Sequence, residues 1–282
     1  MGPTQTVATP QKWGQIRPSF SHTTTSRCHP HPDTGQRRAN DGPTTGQRRA
    51  NDGPTSAART IGSVLADLNG RLGNVATFGV LGFVGFRLAT GTRRSFSADG
   101  RELFRAIVSR IRWRHLWPIP LVLAGVIGLA ALLWQIPGLN WGWWTALGGQ
   151  GNPVFGSNDS TNGTIWEWLI PAVFLILLIP ALPLFAYAEE QMFRRGAESW
   201  SRPKRALKVV QFGLVHALIG IPIGTALALS VGGAYFMATY LRSFRVQRSS
   251  SEATLESARA HTAYNGLIIL TVIGAVIVTA LR

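Results

Sequence analysis

Three short motifs in the second half of the chain combine side chains that can move protons with side chains that can stabilise an anion. In chain order they are Glu189-Glu190 with Arg194, Phe212 with His216, and His261 with Asn265. Each lies beside or inside an apolar run, where an ionisable group is costly and is a candidate functional residue by default. A carboxylate and an imidazole can position and deprotonate a water, and a second imidazole and an amide can donate to an oxyanion. Together the motifs are the parts of a hydrolase.

The spacing within the motifs predicts which side chains share a helix face. Glu190 and Arg194 are four residues apart and can form an ion pair, which leaves Glu189 about 100° away and free for another role. His261 and Asn265 are also four apart and would point the same way. Each motif has a structural alternative, namely surface charges at a helix end, a buried packing histidine, or a polar pair that joins two helices.

Apolar runs surround these motifs, and most are long enough to cross a bilayer, which takes roughly 20 residues per helix. The predicted spans are residues 75–89, 116–136, 165–188, 207–221, 224–241 and 261–281. The first is short and interrupted by Arg87, so whether it crosses the membrane or lies at its surface stays open. The segment 220–224 holds two glycines and a proline and predicts a tight hairpin. The predicted fold is all-α, a polytopic bundle of transmembrane helices.

The charges of the connecting segments predict the orientation of this bundle. Arginine is concentrated in the segments after the first, third and fifth spans, whereas the segments 137–164 and 220–224 contain neither arginine nor lysine. Such alternation places the basic segments in the cytoplasm. The motifs lie near these ends, so their four catalytic candidates should converge on one polar cavity open to the cytoplasm. These are Glu189, His216, His261 and Asn265. The expected location is the inner cell membrane.

The formal net charge of +15 and the single cysteine argue against several other classes of protein. The arginines of the second part flank apolar runs and do not cover a folded surface. That pattern favours the lipid bilayer as a partner and argues against nucleic acid. Cys28 is alone, so neither a disulfide within one chain nor a cysteine-based metal site can form.

Residues 1–57 are polar and rich in Thr, Pro, Gly, Arg and Asn. Within them, the string from 34 to 44 recurs without change from 45 to 55. So short a repeat, rich in Gly and Pro, cannot bury a core, and we predict a disordered leader ahead of a membrane domain at 58–282. The leader lacks the apolar stretch of a secretory signal. A transit peptide and a start codon placed too far upstream stay open as alternatives.

The order of the motifs, EExxxR, FxxxH and then HxxxN, resembles the CPBP family of CAAX prenyl proteases and bacteriocin-processing enzymes. The resemblance covers the chain from about residue 169 to its end. It departs from the usual pattern because Arg195 intervenes before Gly196. The resemblance implies an intramembrane endopeptidase that acts on membrane-associated peptides or proteins.

The resemblance also implies a role for each motif residue. Glu189 and His216 would activate the water, His261 and Asn265 would stabilise the oxyanion, and Glu190, Arg194 and Phe212 would support the site. Zinc stays open as a cofactor, since Glu189, His216 and His261 could hold it. The sequence does not decide between a glutamic and a metal-dependent protease.

Two functions of other classes stay open beside the protease. One is a non-catalytic membrane scaffold or bacteriocin-immunity-type protein of the same fold. The other is a proton-coupled transporter in which intramembrane Glu and His side chains form a proton path. Such a transporter often has internal repeats, and none is found among the spans. In a bacterial host, a substrate other than a prenylated CAAX protein is the better expectation.

Labelling can test the predicted orientation of the basic segments. Cysteines introduced near Ser157 and near Ser250 should react with a membrane-impermeant reagent from opposite sides of the membrane. The first position lies in a segment free of arginine and lysine, and the second lies in a basic one. Labelling of both from the same side would refute the topology.

Overall fold

The computed structural model describes residues 56–149, 151–156 and 161–280. These residues are helical with connecting turns and contain no strand, which confirms the all-α fold class for the described part of the chain. The predicted disordered leader, residues 1–57, lies outside the described residues except for its last two, which belong to the first helix.

Ten α-helices and two 3₁₀ helices make up the described part. The α-helices are α1 (Ser56–Ser95), α2 (Ala98–Val108), α3 (Trp113–Leu116), α4 (Ile119–Leu133), α5 (Trp143–Ala146), α6 (Trp166–Phe193), α7 (Arg202–Leu214), α8 (Ile223–Ala228), α9 (Ser230–Gln247) and α10 (Ser250–Ala280), and the 3₁₀ helices are Ala197–Ser199 and Val215–Ile219. Two of the α-helices have a serine N-cap. Ser97 accepts a hydrogen bond from Gly100 N–H ahead of α2, and Ser201 accepts one from Lys204 N–H ahead of α7.

Within the described residues, four helical stretches are long and apolar enough to cross a membrane. They are Gly73–Ser95, Trp113–Leu133, Trp166–Ser199 and Ile223–Gln247, and they overlap the predicted spans 75–89, 116–136, 165–188 and 224–241. Large apolar side chains on them face outward; Phe78, Leu121 and Ile176 are 74%, 69% and 69% exposed. Exposed apolar surface along such helices suits contact with lipid rather than water.

The predicted membrane span 207–221 is not among these four stretches and stays a prediction. Helix α7 covers Arg202–Leu214, and the chain then tightens into the 3₁₀ helix Val215–Ile219 before Gly220, which has φ 90°. The turn predicted at 220–224 does form, and it returns the chain so that α9 packs against α7.

The predicted last span, 261–281, lies within α10 apart from residue 281, which is outside the described residues. Helix α10 begins at Ser250, so His261 sits inside the helix and not in its first turn as expected. The added turns are closely packed, since Ala253, Ala258 and Ala260 are all 0% exposed. Small side chains there let α10 lie directly against α6 and α9.

An aromatic cluster forms the centre of the bundle and joins α4, α6, α7, α9 and α10. Its buried members are Ile119, Phe193, Phe212, Phe236, Ala260, Ala263 and Tyr264. Phe212 meets Phe193 and Phe236 edge-on, with ring centroids 5.6 and 5.9 Å apart. Edge-to-face contacts add to the energy of burial, so they help to hold α7 in the bundle.

Helices α7, α8 and α9 approach each other most closely at Gly213, which is buried. A Cβ at this position would overlap the Ala226 carbonyl oxygen and lie 2.9 Å from the Ser230 backbone nitrogen. Both are backbone atoms that cannot move aside as the end of a flexible side chain can. Only a glycine permits this approach.

Replacing Gly213 with alanine should therefore destabilise the protein by about 1–3 kcal/mol, the usual cost of overpacking. The change should appear as a lower melting temperature of the detergent-purified protein. Gly128→Ala on α4 is the matched control, because a Cβ there meets nothing within 4 Å. Equal melting temperatures for the two variants would contradict the close approach.

Candidate active site at the end of α6

A buried ion pair closes the end of α6. Arg194 Nη1 donates to Glu190 Oε1 at 2.8 Å, and both side chains are 0% exposed. The pair predicted from their spacing is therefore present. Helix α6 ends at Phe193, and the Arg194 N–H caps it by bonding to the Glu190 carbonyl. The guanidinium carbon also lies 4.2 Å from the centroid of the Phe212 ring, so an aromatic face and a carboxylate replace water around the charge.

The Glu190 carboxylate has two further partners, both on α10. The Ser257 hydroxyl donates to Oε2 at 2.5 Å, and His261 Nδ1 lies 2.9 Å from Oε1. Ser257 and His261 are four residues apart, so one face of α10 is tied to the end of α6. With both oxygens engaged, Glu190 is suited to positioning its neighbours and not to accepting a proton from a substrate.

His261 is held in a single orientation by this network. A carboxylate can only accept, so the contact with Glu190 places a proton on Nδ1. The imidazole stacks on Phe236 with centroids 4.3 Å apart, and the Phe212 ring meets it edge-on at 5.6 Å. Its Nε2 lies 3.8 Å from Glu189 Oε2. That nitrogen accepts a hydrogen bond when the ring is neutral and donates one when it is protonated.

Glu189 differs from its neighbour because its carboxylate is not saturated. The side chain is 38% exposed, yet Oε2 is buried and accepts no hydrogen bond from the described residues. The 3.8 Å to His261 Nε2 is too long for a direct hydrogen bond, and a water-sized group can bridge it. A buried acceptor without a partner, beside a fixed imidazole, is a candidate for proton transfer.

Glu189 and Asn265 line one cavity of about 270 Å³ between α6 and α10. Its other walls are apolar: Phe155, Phe174, Leu175, Leu178, Leu182, Phe185, Ala186, Ile268, Ile269 and Val272. Asn265 lies one turn after His261 on α10. The structure thus places Glu189 and Asn265 in the lining of one apolar cavity, and His261 lies beside Glu189.

His216 lies apart from these three residues. It belongs to the 3₁₀ helix Val215–Ile219, where its Nδ1 donates to the Phe212 carbonyl at 2.8 Å. Its ring contacts the Phe212 ring at a centroid distance of 5.3 Å, and Phe212 in turn contacts His261. Within the described residues, no hydrogen bond or ion pair joins His216 to Glu189. Phe212, expected to support the site, is the residue that contacts both imidazoles.

The expected zinc ligands are not assembled in the described structure. Over residues 56–149, 151–156 and 161–280, no group of three or more His, Cys, Asp or Glu side chains is placed to hold a metal ion. Glu189 and His261 are close, but His216, the third expected ligand, is bonded to the Phe212 carbonyl. Since a catalytic zinc site uses three protein ligands, we derive no step through a metal.

A second buried charged cluster lies on α10 around Glu256. Its Oε1 lies 2.7 Å from Arg114 Nη2 and 2.8 Å from His115 Nε2, and its Oε2 lies 2.9 Å from Arg259 Nη1. Burial raises the pKa of Glu256, but hydrogen bonds from His115 and Arg259 and the nearby positive charges outweigh burial and hold the pKa at about 2. Glu256 is therefore ionised at neutral pH.

Motif spacing alone misses both the Ser257 contact and the Glu256 cluster. Ser257 lies four residues before His261 and on the same helix face, a signal that sequence inspection could have used. The contact between His115 and Glu256 joins positions 141 residues apart, and no local pattern indicates such a pair.

No protein-family model, no curated protein and no solved structure matches the chain. The resemblance to CPBP proteases therefore rests on the three motifs and stays a prediction. Apart from that resemblance, the geometry distinguishes the two adjacent glutamates: both oxygens of Glu190 are hydrogen-bonded, whereas Oε2 of Glu189 has no hydrogen-bond partner among the described residues.

The two glutamates should respond differently to the same substitution. Glu190→Gln removes the charge that compensates Arg194 and should cost about 3–5 kcal/mol, as expected when one member of a buried ion pair is lost. Glu189→Gln is the matched control, because its side chain is partly exposed and makes no hydrogen bond through Oε2. Thermal melts of the two purified variants compare them directly, and a larger loss for Glu189→Gln would contradict this assignment.

Proposed function

We propose that the chain is a membrane-embedded endopeptidase that hydrolyses peptide bonds of membrane-associated peptides or proteins. One observation carries the proposal: Glu189 Oε2 lies 3.8 Å from Nε2 of His261, whose other ring nitrogen is held by Glu190. A free carboxylate oxygen beside an oriented imidazole is the arrangement that water activation requires. The likeness of the motifs to CPBP proteases supports the same assignment.

Glu189 is the general base in the proposed reaction. A water bound to Glu189 Oε2 loses a proton to that carboxylate as its oxygen attacks the peptide carbonyl carbon. The carbonyl oxygen becomes an oxyanion, to which the Asn265 amide and Nε2–H of the protonated His261 donate hydrogen bonds. The C–N bond then breaks, and the proton on Glu189 passes to the leaving amine. His261 keeps its hydrogen bond to Glu190 throughout, so its ring does not turn.

His216 has a positioning role in this scheme. The resemblance assigns it to water activation, but its contacts run to the backbone and ring of Phe212. Phe212 packs edge-on against His261 and faces the Arg194 guanidinium. Through that ring, His216 supports the network that orients His261.

The cavity beside Glu189 favours an apolar substrate segment. Apart from Glu189 and Asn265, it is lined by aliphatic and aromatic side chains of α6 and α10 and by Phe155. Helix α6 belongs to the stretch Trp166–Ser199, which is able to cross a membrane. A membrane peptide could therefore place apolar side chains in the cavity while its backbone reaches Glu189 and Asn265.

Cleavage of fluorogenic membrane peptides by the purified protein tests the proposal. Glu189→Gln should lower kcat/KM by at least about 100-fold, the usual contribution of a general base. Asn265→Ala should lower kcat by about 100-fold or more with little change in KM, because an oxyanion donor acts mainly in the transition state. Glu102→Gln, an exposed glutamate on α2, is the matched control and should keep full activity.

Undiminished cleavage by a correctly folded Glu189→Gln variant would contradict the assignment of the base. If the wild-type protein cleaves no member of a broad set of membrane peptides, the buried network is better explained as the structural centre of a non-catalytic scaffold. A proton flux in proteoliposomes that depends on Glu189, without cleavage, would favour the transporter.

A further inference from the structure

One cavity in the bundle is separate from the candidate active site. It has a volume of about 660 Å³ and lies between the segment before α4, the second half of α9 and the start of α10. None of the residues that line it also lines the cavity beside Glu189. The proposed hydrolysis makes no use of it.

The polar part of this cleft is basic. Arg114 and Arg242 both line it, and Thr239 and Ser243 are further lining residues on the wall formed by α9. The carboxylate of Glu256 is the acidic group among the lining residues, and it also binds Arg259, which is not among them. Because Arg259 compensates the negative charge of Glu256, the positive charges of the two lining arginines are in excess.

The two arginines retain donors for a ligand. Arg242 is exposed and forms no ion pair or hydrogen bond with the described residues. Arg114 is 57% exposed, and its ion pair with Glu256 uses Nη2. A guanidinium carries five N–H donors in a planar fork that matches phosphate oxygens. Two such forks and the Ser243 hydroxyl in one cleft fit the chemistry of a phosphate group, whereas the Thr239 hydroxyl donates to the Tyr235 carbonyl.

Apolar side chains also line the cleft, beside His115, Tyr235 and Gln247, at a place where a membrane surface is expected. Trp117 is 54% exposed and lines the cleft, together with Pro118, Ala238 and Val246. Trp117 lies near the start of the candidate span Trp113–Leu133. Tryptophan and arginine near the ends of membrane helices mark the headgroup level. A ligand there would have a phosphate next to an apolar chain.

We propose that this cleft binds the phosphate headgroup of an anionic phospholipid, with the acyl chains running along the exposed apolar surface of α4. Free phosphate shares the same charged partners but leaves the apolar wall uncovered. An acidic peptide would use the arginines without needing tryptophan beside them. A lipid is favoured because it has a phosphate for the basic wall and acyl chains for the apolar wall.

Native mass spectrometry of the detergent-purified full-length chain can test this. Titration with phosphatidylglycerol should give saturable binding that phosphatidylcholine does not match. Arg242→Gln should weaken this binding about five-fold, since one arginine near a membrane surface contributes about 1 kcal/mol. Arg245→Gln is the matched control, because Arg245 is exposed on the same helix and does not line the cleft; it should leave the affinity unchanged.

Each alternative gives a different result. Equal losses for Arg242→Gln and Arg245→Gln would overturn the proposal in favour of diffuse attraction to basic surface charge. Displacement of phosphatidylglycerol by millimolar inorganic phosphate would identify a free-phosphate site instead. Tighter binding of a polyglutamate peptide, with loss on Arg242→Gln, would identify an acidic polypeptide as the ligand. Because the readout is binding, loss of peptidase activity neither supports nor contradicts it.

Discussion

The buried carboxylate of Glu190 is the constraint on which the rest of the site depends. Arg194 beside it has no exposed surface, and a buried charge is strongly destabilising unless its partner and hydrogen bonds are in place. The structure meets this requirement by bringing α10 to the end of α6, where Ser257 and His261 complete the hydrogen bonding of the Glu190 carboxylate. Arg194 also reaches the Gly233 carbonyl of α9 at 3.4 Å. Three helices are thus joined by one buried ion pair.

This constraint explains how two identical adjacent residues acquire different chemistry. A rotation of about 100° per residue turns Glu190 into the bundle and Glu189 towards the apolar cavity. Glu190 orients the imidazole of His261, and Glu189 meets the nitrogen that this orientation presents. One glutamate side chain cannot lie beside both ring nitrogens of His261, so two adjacent glutamates are needed to hold Nδ1 and to face Nε2.

The periodicity of the sequence predicted the features that depend on residues close together in the chain. The apolar runs became helices, and the i,i+4 pair of Glu190 and Arg194 formed as its spacing required. The segment 207–221 is divided between α7 and the 3₁₀ helix Val215–Ile219, and hydropathy cannot detect where an α-helix tightens into a 3₁₀ helix and turns back at Gly220. The pairing of His115 with Glu256 could not be predicted either, since its partners meet only after the whole bundle has assembled.

Helix α10 presents consecutive side chains to two separate parts of the molecule. Ser257 donates to the carboxylate that orients the candidate catalytic histidine, while Glu256 lines the basic cleft and binds Arg114. Because the backbone of a helix is rigid over one residue, a displacement of α10 at the cleft must also displace the Ser257 hydroxyl. A ligand that competes with Glu256 for Arg114 would therefore act on α10. The position of α10 matters to the buried site because Ser257 and His261 contact Glu190 from this helix. The bilayer-facing cleft and the buried site share a structural element although they share no lining residue.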